Sequence, residues 1–188
     1  KQIRHILVRH EQGAAHAAEG YARMSGKPGI CIATSGPGAT NLITGITDAM
    51  ADSVPLVCIT GQVASHSLGT DAFQEAAIIA MTTPITKWCH QITNAQEVPE
   101  IMAKAFHIAR TGRPGPVLID ITKDSQMGRC DFHYSKTVAP KIYKINSVPD
   151  ATKIKEAAHI LNNAKRPYIL AGHGVLISKA EKELLAFA

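Results

Sequence analysis

Short apolar runs rich in β-branched residues alternate along this chain with longer stretches in which apolar or small residues recur at helical spacing. Most of these runs have the length of a strand and are too short for a buried helix. This alternation is typical of βαβ units, in which crossover helices join parallel strands. We therefore predict an α/β fold with a doubly wound, mainly parallel sheet. The predicted strands cover residues 3–8, 29–34, 54–61, 86–92 and 113–122.

The first predicted helix carries an acidic residue at its head. The stretch RHEQGAAHAAEGYARMSG (9–26) consists largely of Ala and Gly, which let another backbone or a flat ligand come close, and Gly26 is a predicted C-cap. Glu11 begins the helix. A carboxylate there has an ordinary explanation, since it complements the positive end of the helix macrodipole by about 0.3–1 kcal/mol. A functional role for Glu11 therefore needs support from elsewhere in the chain.

The pattern changes after residue 130. Residues 131–149 contain prolines and spaced lysines without helical or strand periodicity, and they predict a linker. A new unit begins at Asp150, a predicted helix N-cap, and RPYILAGHG (166–174) predicts a strand. Ser178 and Glu181 have capping-box spacing ahead of a last helix. We predict one domain over residues 1–130 and the start of a second α/β domain over residues 150–188.

Composition excludes several classes of protein. The net charge of +5 comes from scattered Lys and Arg, and aromatic residues make up only 5%, so the basic and aromatic interleaving of a single-strand nucleic-acid binder is absent. No apolar run approaches the roughly 20 residues of a membrane span. The four cysteines lack paired spacing and predict free thiols. We expect a cytoplasmic (bacterial) or organellar-matrix protein, and a piece of a larger one, because the chain begins inside a predicted strand.

Glycine-rich and polar stretches follow two of the predicted strands. SGPGATN (35–41) predicts a tight turn into a helix, with Pro37 at the first helical position. GQVASHSLGTDAFQEA (61–76) follows the third strand, where open α/β sheets place their ligands, so Phe73 and Gln74 are candidate site residues. A helix is predicted to begin near residue 71 or 72. The alternatives are a surface turn and a solvated loop.

Other candidate residues are less specific. Arg113 could hold an anionic group with its planar guanidinium. The glycines of AGHGV (171–175) could let a backbone approach a phosphate, and a plain glycine turn is the alternative. A zinc-protease helix is excluded, because Ala14 stands where H-E-x-x-H needs its second histidine. No metal ligands are predicted.

Four motifs together indicate a family. RHEQGAAHAAEGYAR, SGPGATN, GTDAFQE and GRPGPVLIDI, in this order and spacing, resemble the large catalytic subunit of the acetohydroxyacid synthase (acetolactate synthase) family. The first two motifs are shared by many thiamine diphosphate enzymes, whereas the last two are narrower. The resemblance implies that residues 1–130 are a pyrimidine-binding domain lacking its first elements. It implies that residues 150–188 begin a central FAD-binding domain that is truncated here.

The resemblance also assigns roles to residues. Glu11 matches the catalytic glutamate, which hydrogen-bonds a ring nitrogen of the aminopyrimidine of thiamine diphosphate and favours its reactive imino tautomer. Gln74 matches a glutamine beside this cofactor across a dimer interface. The implied substrate-channel residues are Phe73, Lys87 and Lys123, and the implied FAD-binding residues are Arg113, Gly172 and Gly174. Mg²⁺ is implied as a third cofactor, with its ligands outside this chain.

The implied activity is the decarboxylation of pyruvate and its condensation with a second 2-keto acid, the first common step of branched-chain amino acid biosynthesis. The implied partners are these substrates, a second copy in a homodimer with the active site at its interface, and a small regulatory subunit. We expect the chain alone to be inactive. His173 departs from the family's run of three glycines. The alternatives are another thiamine diphosphate enzyme of 2-keto acids, such as a pyruvate oxidase or decarboxylase, and a noncatalytic α/β interaction domain.

Overall fold

The computed structural model describes residues 3–133 and 148–188. These residues fall into two compact units, one before and one after the gap. Most of the predicted linker, residues 134–147, lies outside the described residues. In the part of the chain that the structure describes, no helix is long and apolar enough to cross a lipid bilayer.

The first unit is built from four strands and six helices among its described residues. The strands are β1 (Gly29–Ala33), β2 (Leu56–Gln62), β3 (Trp88–Ile92) and β4 (Pro116–Thr122). The helices are α1 (Glu11–Ser25), α2 (Pro37–Thr40), α3 (Ile43–Ala51), α4 (Ile78–Thr82), α5 (Val98–Arg110) and α6 (Lys123–Met127). Short 3₁₀ turns cover Ser65–Ser67, Thr83–Ile85 and Ala95–Glu97.

The four strands form one parallel sheet in the order β1-β2-β4-β3. In register, Cys31 of β1 lies opposite Cys58 of β2, which lies opposite Leu118 of β4. Each connection between consecutive strands carries at least one helix, as a parallel sheet requires. The predicted α/β class with a mainly parallel sheet is therefore confirmed.

Helices cover both faces of the sheet, which gives two apolar layers. Helices α1, α3 and α4 cover one face, and α5 covers the other. The first layer contains Ala15, Ala18, Leu42, Ile46, Ala49, Leu56, Cys58, Ile78 and Leu118. The second contains Val57, Ile92, Ile101, Ala105, Ile108, Val117 and Ile119. Ile101, Ala105 and Ile108 recur at helical spacing and form the buried face of α5.

Small residues bring α1 close to its neighbours. A Cβ placed on Gly45 of α3 would lie 2.4 Å from the Ala15 Cβ, so the two helices touch through glycine and alanine. Arg23 donates to Glu19 at 2.7 Å and to Asp52 at 2.6 Å, which ties α1 to the end of α3. The alanine-rich sequence of α1 thus serves close packing.

The ends of α1 and α2 follow from local sequence. The His10 Nδ1 accepts a hydrogen bond from the Gln12 amide at the start of α1. Gly26 ends the helix with a φ of 67°, as predicted for a glycine C-cap. Pro37 opens α2 directly after Gly36, also as predicted.

Two predictions in the first unit are wrong. Residues 3–8 form no strand, and Ile3, Ile6 and Leu7 are largely exposed, because no described strand pairs with this segment. The helix predicted near residue 71 begins only at Ile78. Residues 68–77 form turns instead, and two of them, Asp71 and Gln74, have positive φ angles that a helix does not allow.

The second unit contains α7 (Ala151–Asn162), α8 (Gly174–Ser178) and α9 (Glu181–Phe187). Asp150 caps α7 as predicted, accepting from the amides of Thr152 and Lys153. The strand predicted over residues 166–174 is wrong, since this unit has no described strand with which it could pair and Gly174 begins α8. The capping box is also wrong, because the Ser178 hydroxyl donates to carbonyls of α8.

Candidate functional site

The turn after β1 is the centre of the candidate site. Ser35 and Gly36 lead into α2 at the carboxyl end of the sheet, where parallel α/β proteins bind ligands. Gly36 has a φ of 58°, and a Cβ built on it would lie 2.7 Å from the Gln74 carbonyl oxygen. Only glycine fits this position, since the backbone is left-handed and the chain around Gln74 lies directly against it.

Glu11 lies on the other side of the same turn. Its Oε2 accepts a hydrogen bond from the Asn41 Nδ2 at 2.9 Å. A Cβ on Gly38 would lie 2.7 Å from the Thr34 Cγ2 and 3.5 Å from the Glu11 Oε1, so a side chain there would collide with Thr34 and stand against the carboxylate. The hydrogen bond from Asn41 is the main cause that lowers the pKa of Glu11. Glu11 is therefore held as a carboxylate, a hydrogen-bond acceptor beside an open turn.

The segment 69–76 brings Gln74 to this turn. The Glu75 carboxylate accepts from the amides of Gly69, at 2.5 Å, and Ala72, at 3.2 Å, and these amides lower the pKa of Glu75. Asp71 and Gln74 adopt left-handed backbone angles, with φ values of 55° and 59°. Non-glycine residues in this region cost about 1 kcal/mol or more each, so surrounding contacts must hold the segment in place.

Phe73 and Lys123 lie at the same carboxyl end of the sheet but differ in their surroundings. Phe73 is 88% exposed, next to Gln74 in the segment 69–76. Lys123 lines a cleft of about 510 Å³ at the carboxyl ends of β1, β2 and β4, together with Ser35 and Gln62. The structure thus places four of the candidate residues at the carboxyl end of the sheet: Glu11, Phe73, Gln74 and Lys123.

Lys87 and Arg113 lie at the amino end of the sheet, where β3 and β4 begin. The Lys87 Nζ donates to the carbonyls of Ile108 and Thr111, at 2.7 Å for the latter, at the end of α5. Burial lowers the pKa of Lys87 to about 8. The structure therefore does not bring Lys87 to Glu11, and its substrate-channel role stays a prediction from the resemblance.

Arg113 makes similar contacts at the end of α3. Its Nε donates to the Ser53 hydroxyl at 2.7 Å, and its Nη2 donates to the carbonyls of Met50 and Ala51 at 3.0 Å. In the second unit, a Cβ added at Gly172 or Gly174 would meet no heavy atom within 4 Å. The described residues offer no cradle for a flavin there, so the FAD-binding roles stay predictions.

A row of polar side chains crosses the sheet below the site, with Thr60 and Asp120 buried and Gln91 half-buried. Thr60, Asp120 and Gln91 lie opposite one another on β2, β4 and β3. The Asp120 carboxylate accepts from the Thr60 hydroxyl at 2.7 Å and from the amides of Gln91 and Gln62 at 2.8 and 3.1 Å. Burial raises the pKa of Asp120, and these three donors oppose the rise.

Sequence reasoning missed the roles of Asn41, Gln62 and Asp120. Asn41 is the last residue of SGPGATN, which predicts only a tight turn into a helix. Asp120 interrupts an apolar run of the predicted strand 113–122, and Gln62 directly follows the predicted strand 54–61; polar residues buried in a sheet need partners. That interruption was the available signal, although it does not identify the partners.

Comparison with known proteins agrees with this geometry. The family described as "Thiamine pyrophosphate enzyme, N-terminal TPP binding domain" matches residues 1–81, which include Glu11, the Gly36 turn and Gln74. The chain is 54% identical over 187 residues to the acetolactate synthase large subunit of Corynebacterium glutamicum, covering 100% of this chain and 30% of that protein. It is 48% identical over 188 residues to the acetolactate synthase of Mycobacterium bovis, covering 100% of this chain and 30% of that protein.

An archaeal relative gives the same result. The chain is 51% identical over 188 residues to the probable acetolactate synthase large subunit of Methanocaldococcus jannaschii, covering 98% of this chain and 32% of that protein. The chain thus spans about a third of the length of these relatives. Residues 1–81 thus match the N-terminal TPP-binding domain of thiamine pyrophosphate enzymes, and the chain is similar over its whole length to a part of acetolactate synthase large subunits.

Proposed function

We propose that this chain is part of an acetolactate synthase, which decarboxylates pyruvate and joins the remaining two-carbon unit to a second 2-keto acid. The observation that supports the proposal is the Glu11 carboxylate, whose pKa the hydrogen bond from Asn41 lowers, beside the turn that contains Gly36 and Gly38. The homology to acetolactate synthase large subunits supports the choice of this reaction among those of thiamine diphosphate enzymes.

The residues present fit the aminopyrimidine half of thiamine diphosphate. A side chain at position 38 would stand against the Glu11 Oε1, 3.5 Å from its Cβ, and glycine keeps this oxygen free of one, as the close approach of a flat ring requires. When bound, thiamine diphosphate supplies the carbon nucleophile and electron sink that decarboxylation of a 2-keto acid requires. Glu11 would accept a hydrogen bond from a ring nitrogen and hold a proton on that nitrogen. Its lowered pKa keeps the carboxylate available as the acceptor.

The remaining site residues extend this proposal. Gln74 would contact the cofactor from the segment 69–76, and Phe73 would form an apolar wall for the substrate. Lys123 would place a positive charge at the cleft, which suits the carboxylate of a 2-keto acid. The proposal also includes a homodimer, a small regulatory subunit, Mg²⁺ and FAD. These four are supported by the resemblance alone.

The test is product analysis with the intact protein. Pyruvate is supplied with and without thiamine diphosphate and Mg²⁺, and carbon dioxide, acetolactate, acetaldehyde and acetate or acetyl phosphate are measured. We expect cofactor-dependent release of carbon dioxide with acetolactate as the main product. Acetaldehyde or an acetate-level product would instead indicate a decarboxylase or an oxidase. No consumption of pyruvate would indicate a noncatalytic domain and would contradict the proposal.

A further inference from the structure

Gln62 connects the sheet interior to the segment 69–76. It ends β2 and is only 5% exposed. Its Nε2 donates to the Asp120 Oδ2 at 3.1 Å and to the Ala76 carbonyl oxygen at 2.9 Å. Its Oε1 accepts from the Val63 amide at 2.9 Å. Both N–H groups of the side chain are therefore used, one on the buried carboxylate and one on the backbone two residues after Gln74.

Asp120 can act as a fixed anchor for Gln62. The carboxylate is fully buried, and its other donors, Thr60 and Gln91, come from the strands on either side of β4. Among residues 3–133 and 148–188, no ion pair involves this carboxylate. A buried carboxylate held by hydrogen bonds from three positions on rigid strands has little freedom to move. The orientation of the Gln62 amide is therefore fixed from within the sheet.

The segment 69–76 needs such an external contact. Its two left-handed residues, Asp71 and Gln74, are strained, and the bonds from Gly69 and Ala72 to Glu75 close the segment only on itself. Gly36 limits where the backbone at Gln74 can lie, but it makes no hydrogen bond to it among those described. The bond from Gln62 to Ala76 joins the end of the segment to the sheet.

We propose that Gln62 is a positioning residue, which fixes the segment 69–76 and with it Gln74 beside the Gly36 turn, while the buried Asp120 carboxylate fixes Gln62. The consequence for cofactor binding rests on the proposed function. The consequence for the mobility of the segment does not, because it depends only on the contacts within this chain.

Gln91 provides a matched control. Its Nε2 donates to the same Asp120 oxygen at 2.8 Å, but no described contact joins it to the segment 69–76. Gln62→Met and Gln91→Met each remove one amide donor from Asp120 and keep a similar side-chain volume. Gln62→Met also removes the bond to Ala76 and the acceptor of the Val63 amide, but Val63 lies outside the segment 69–76. A difference between the two variants therefore reports the tether and not the loss of a donor to the buried carboxylate.

The experiment compares both variants with wild type in the intact protein. Hydrogen-deuterium exchange is followed for peptides that cover residues 66–77, and the Kd for thiamine diphosphate is measured in the presence of Mg²⁺. For Gln62→Met we expect exchange about tenfold faster in this segment, the effect of losing one hydrogen bond, and a Kd raised by a similar factor. At saturating cofactor, kcat should stay within about twofold of wild type. Gln91→Met should match wild type in all three measurements.

The outcomes separate this inference from the proposed function. Equal exchange of the segment in the two variants overturns the positioning role. Faster exchange in Gln62→Met supports it, even if the wild-type protein binds no thiamine diphosphate, a result that would overturn the proposed function alone. If Gln62→Met does not fold, Gln62→Asn replaces it, because the shorter amide cannot reach both acceptors. Wild-type exchange in that variant would overturn the positioning role as well.

Discussion

Glu11 combines two properties that an ordinary helix-start glutamate does not need together. It accepts from a side chain 30 positions away, Asn41, and it lies beside a glycine that leaves space next to one of its oxygens. A residue that only complements the helix dipole needs neither feature. The local geometry thus supports the role that the resemblance assigns to Glu11.

Replacing Glu11 by Gln should abolish most activity of the intact protein without unfolding it. The amide keeps the size of the side chain but cannot carry the negative charge that favours the reactive tautomer. We expect a loss of roughly 10²–10⁴ in the exchange rate of the thiamine C2 proton, measured at saturating cofactor.

Glu100→Gln is the matched control for this variant. Glu100 also lies in the first turn of a helix, α5, but it is exposed and no described contact joins it to the site. We expect wild-type proton exchange in this control. If Glu11→Gln also exchanges within a few-fold of wild type, Glu11 is not the activating carboxylate.

Asn41→Ala should change the pH dependence of the reaction. The amide of Asn41 is the largest cause that lowers the pKa of Glu11, so its removal lets Glu11 protonate at a higher pH. Because the proposed mechanism uses the ionised form of Glu11, the acidic limb of the rate profile should move to higher pH. The measurement is kcat/KM against pH for the intact protein.

Thr40→Val is the control, since the Thr40 hydroxyl donates only to the Pro37 carbonyl and makes no described contact with Glu11. Its acidic limb should coincide with that of wild type. Coincidence of the Asn41→Ala limb with wild type would show that this hydrogen bond does not set the ionisation of Glu11.

At the scale of the elements, the contact between α1 and α3 depends on a single missing side chain. Gly45→Ala would place a Cβ 2.4 Å from that of Ala15, and we expect it to destabilise the 188-residue chain by about 1–3 kcal/mol. Gly20→Ala on α1 meets nothing within 4 Å and should stabilise the chain by roughly 0.5–1 kcal/mol. Urea unfolding followed by circular dichroism measures both. Equal effects in the same direction would contradict this packing.

The two lysines of the predicted substrate channel should behave differently. Lys87→Met removes donors from the carbonyls at the end of α5, and we expect a loss of about 1–2 kcal/mol in the free energy of unfolding. Lys123→Met, at the exposed cleft, should leave stability nearly unchanged and raise the KM for pyruvate. Unfolding and steady-state kinetics are measured for both variants. An increased KM with unchanged stability in Lys87→Met would return Lys87 to the substrate channel.

The elements differ in how far the sequence predicts them. Helix α5 was predictable because its buried side chains recur at helical spacing, and strand β2 because it is a short, almost continuously buried apolar run. Residues 3–8 have a strand's composition, yet a strand exists only where another backbone accepts and donates its hydrogen bonds. The segment 68–77 failed for a different reason, since positive φ angles at Asp71 and Gln74 leave no signature in residue type.

The site shows the same limit. Motifs in the sequence indicated Glu11, Phe73, Gln74 and Lys123, and the structure places these residues at the carboxyl end of the sheet. Motifs indicated Lys87 and Arg113 in the same way, but these two residues lie at the amino end of the sheet. The contacts of Glu11 with Asn41 and of Gln62 with Asp120 join residues 30 and 58 positions apart. Such contacts depend on how the chain folds back on itself, which local patterns do not record.

At the scale of the whole molecule, one outer strand of the sheet has an unpaired side. Strand β1 is the last in the order, and no described strand pairs with its free side. Ile30 and Ile32 face the layer that α5 covers over β2 and β4, but they are 51% and 70% exposed. An apolar end strand of this kind is a template for pairing with another chain.

We expect the 188-residue chain to self-associate through this end strand. Ile32→Lys should lower its weight-average mass in sedimentation at equal protein concentration, since a charge on the end strand opposes strand pairing. Met127→Lys, which replaces a 79% exposed side chain on α6, is the control and should sediment like the unchanged chain. An unchanged mass distribution for Ile32→Lys would show that β1 is not the contact.

The neighbouring thiols of Cys31 and Cys58 can report local opening of the core through their reaction with an alkylating reagent. Their sulfurs lie 3.3 Å apart in the buried core, and the contact with Cys31, together with burial, raises the pKa of Cys58 well above its usual range. Cys89 and Cys130 are partly accessible. An alkylating reagent therefore labels the folded chain in two kinetic classes. The slow class measures how often the layer of α1, α3 and α4 opens to expose these two sulfurs, with no probe introduced into the protein.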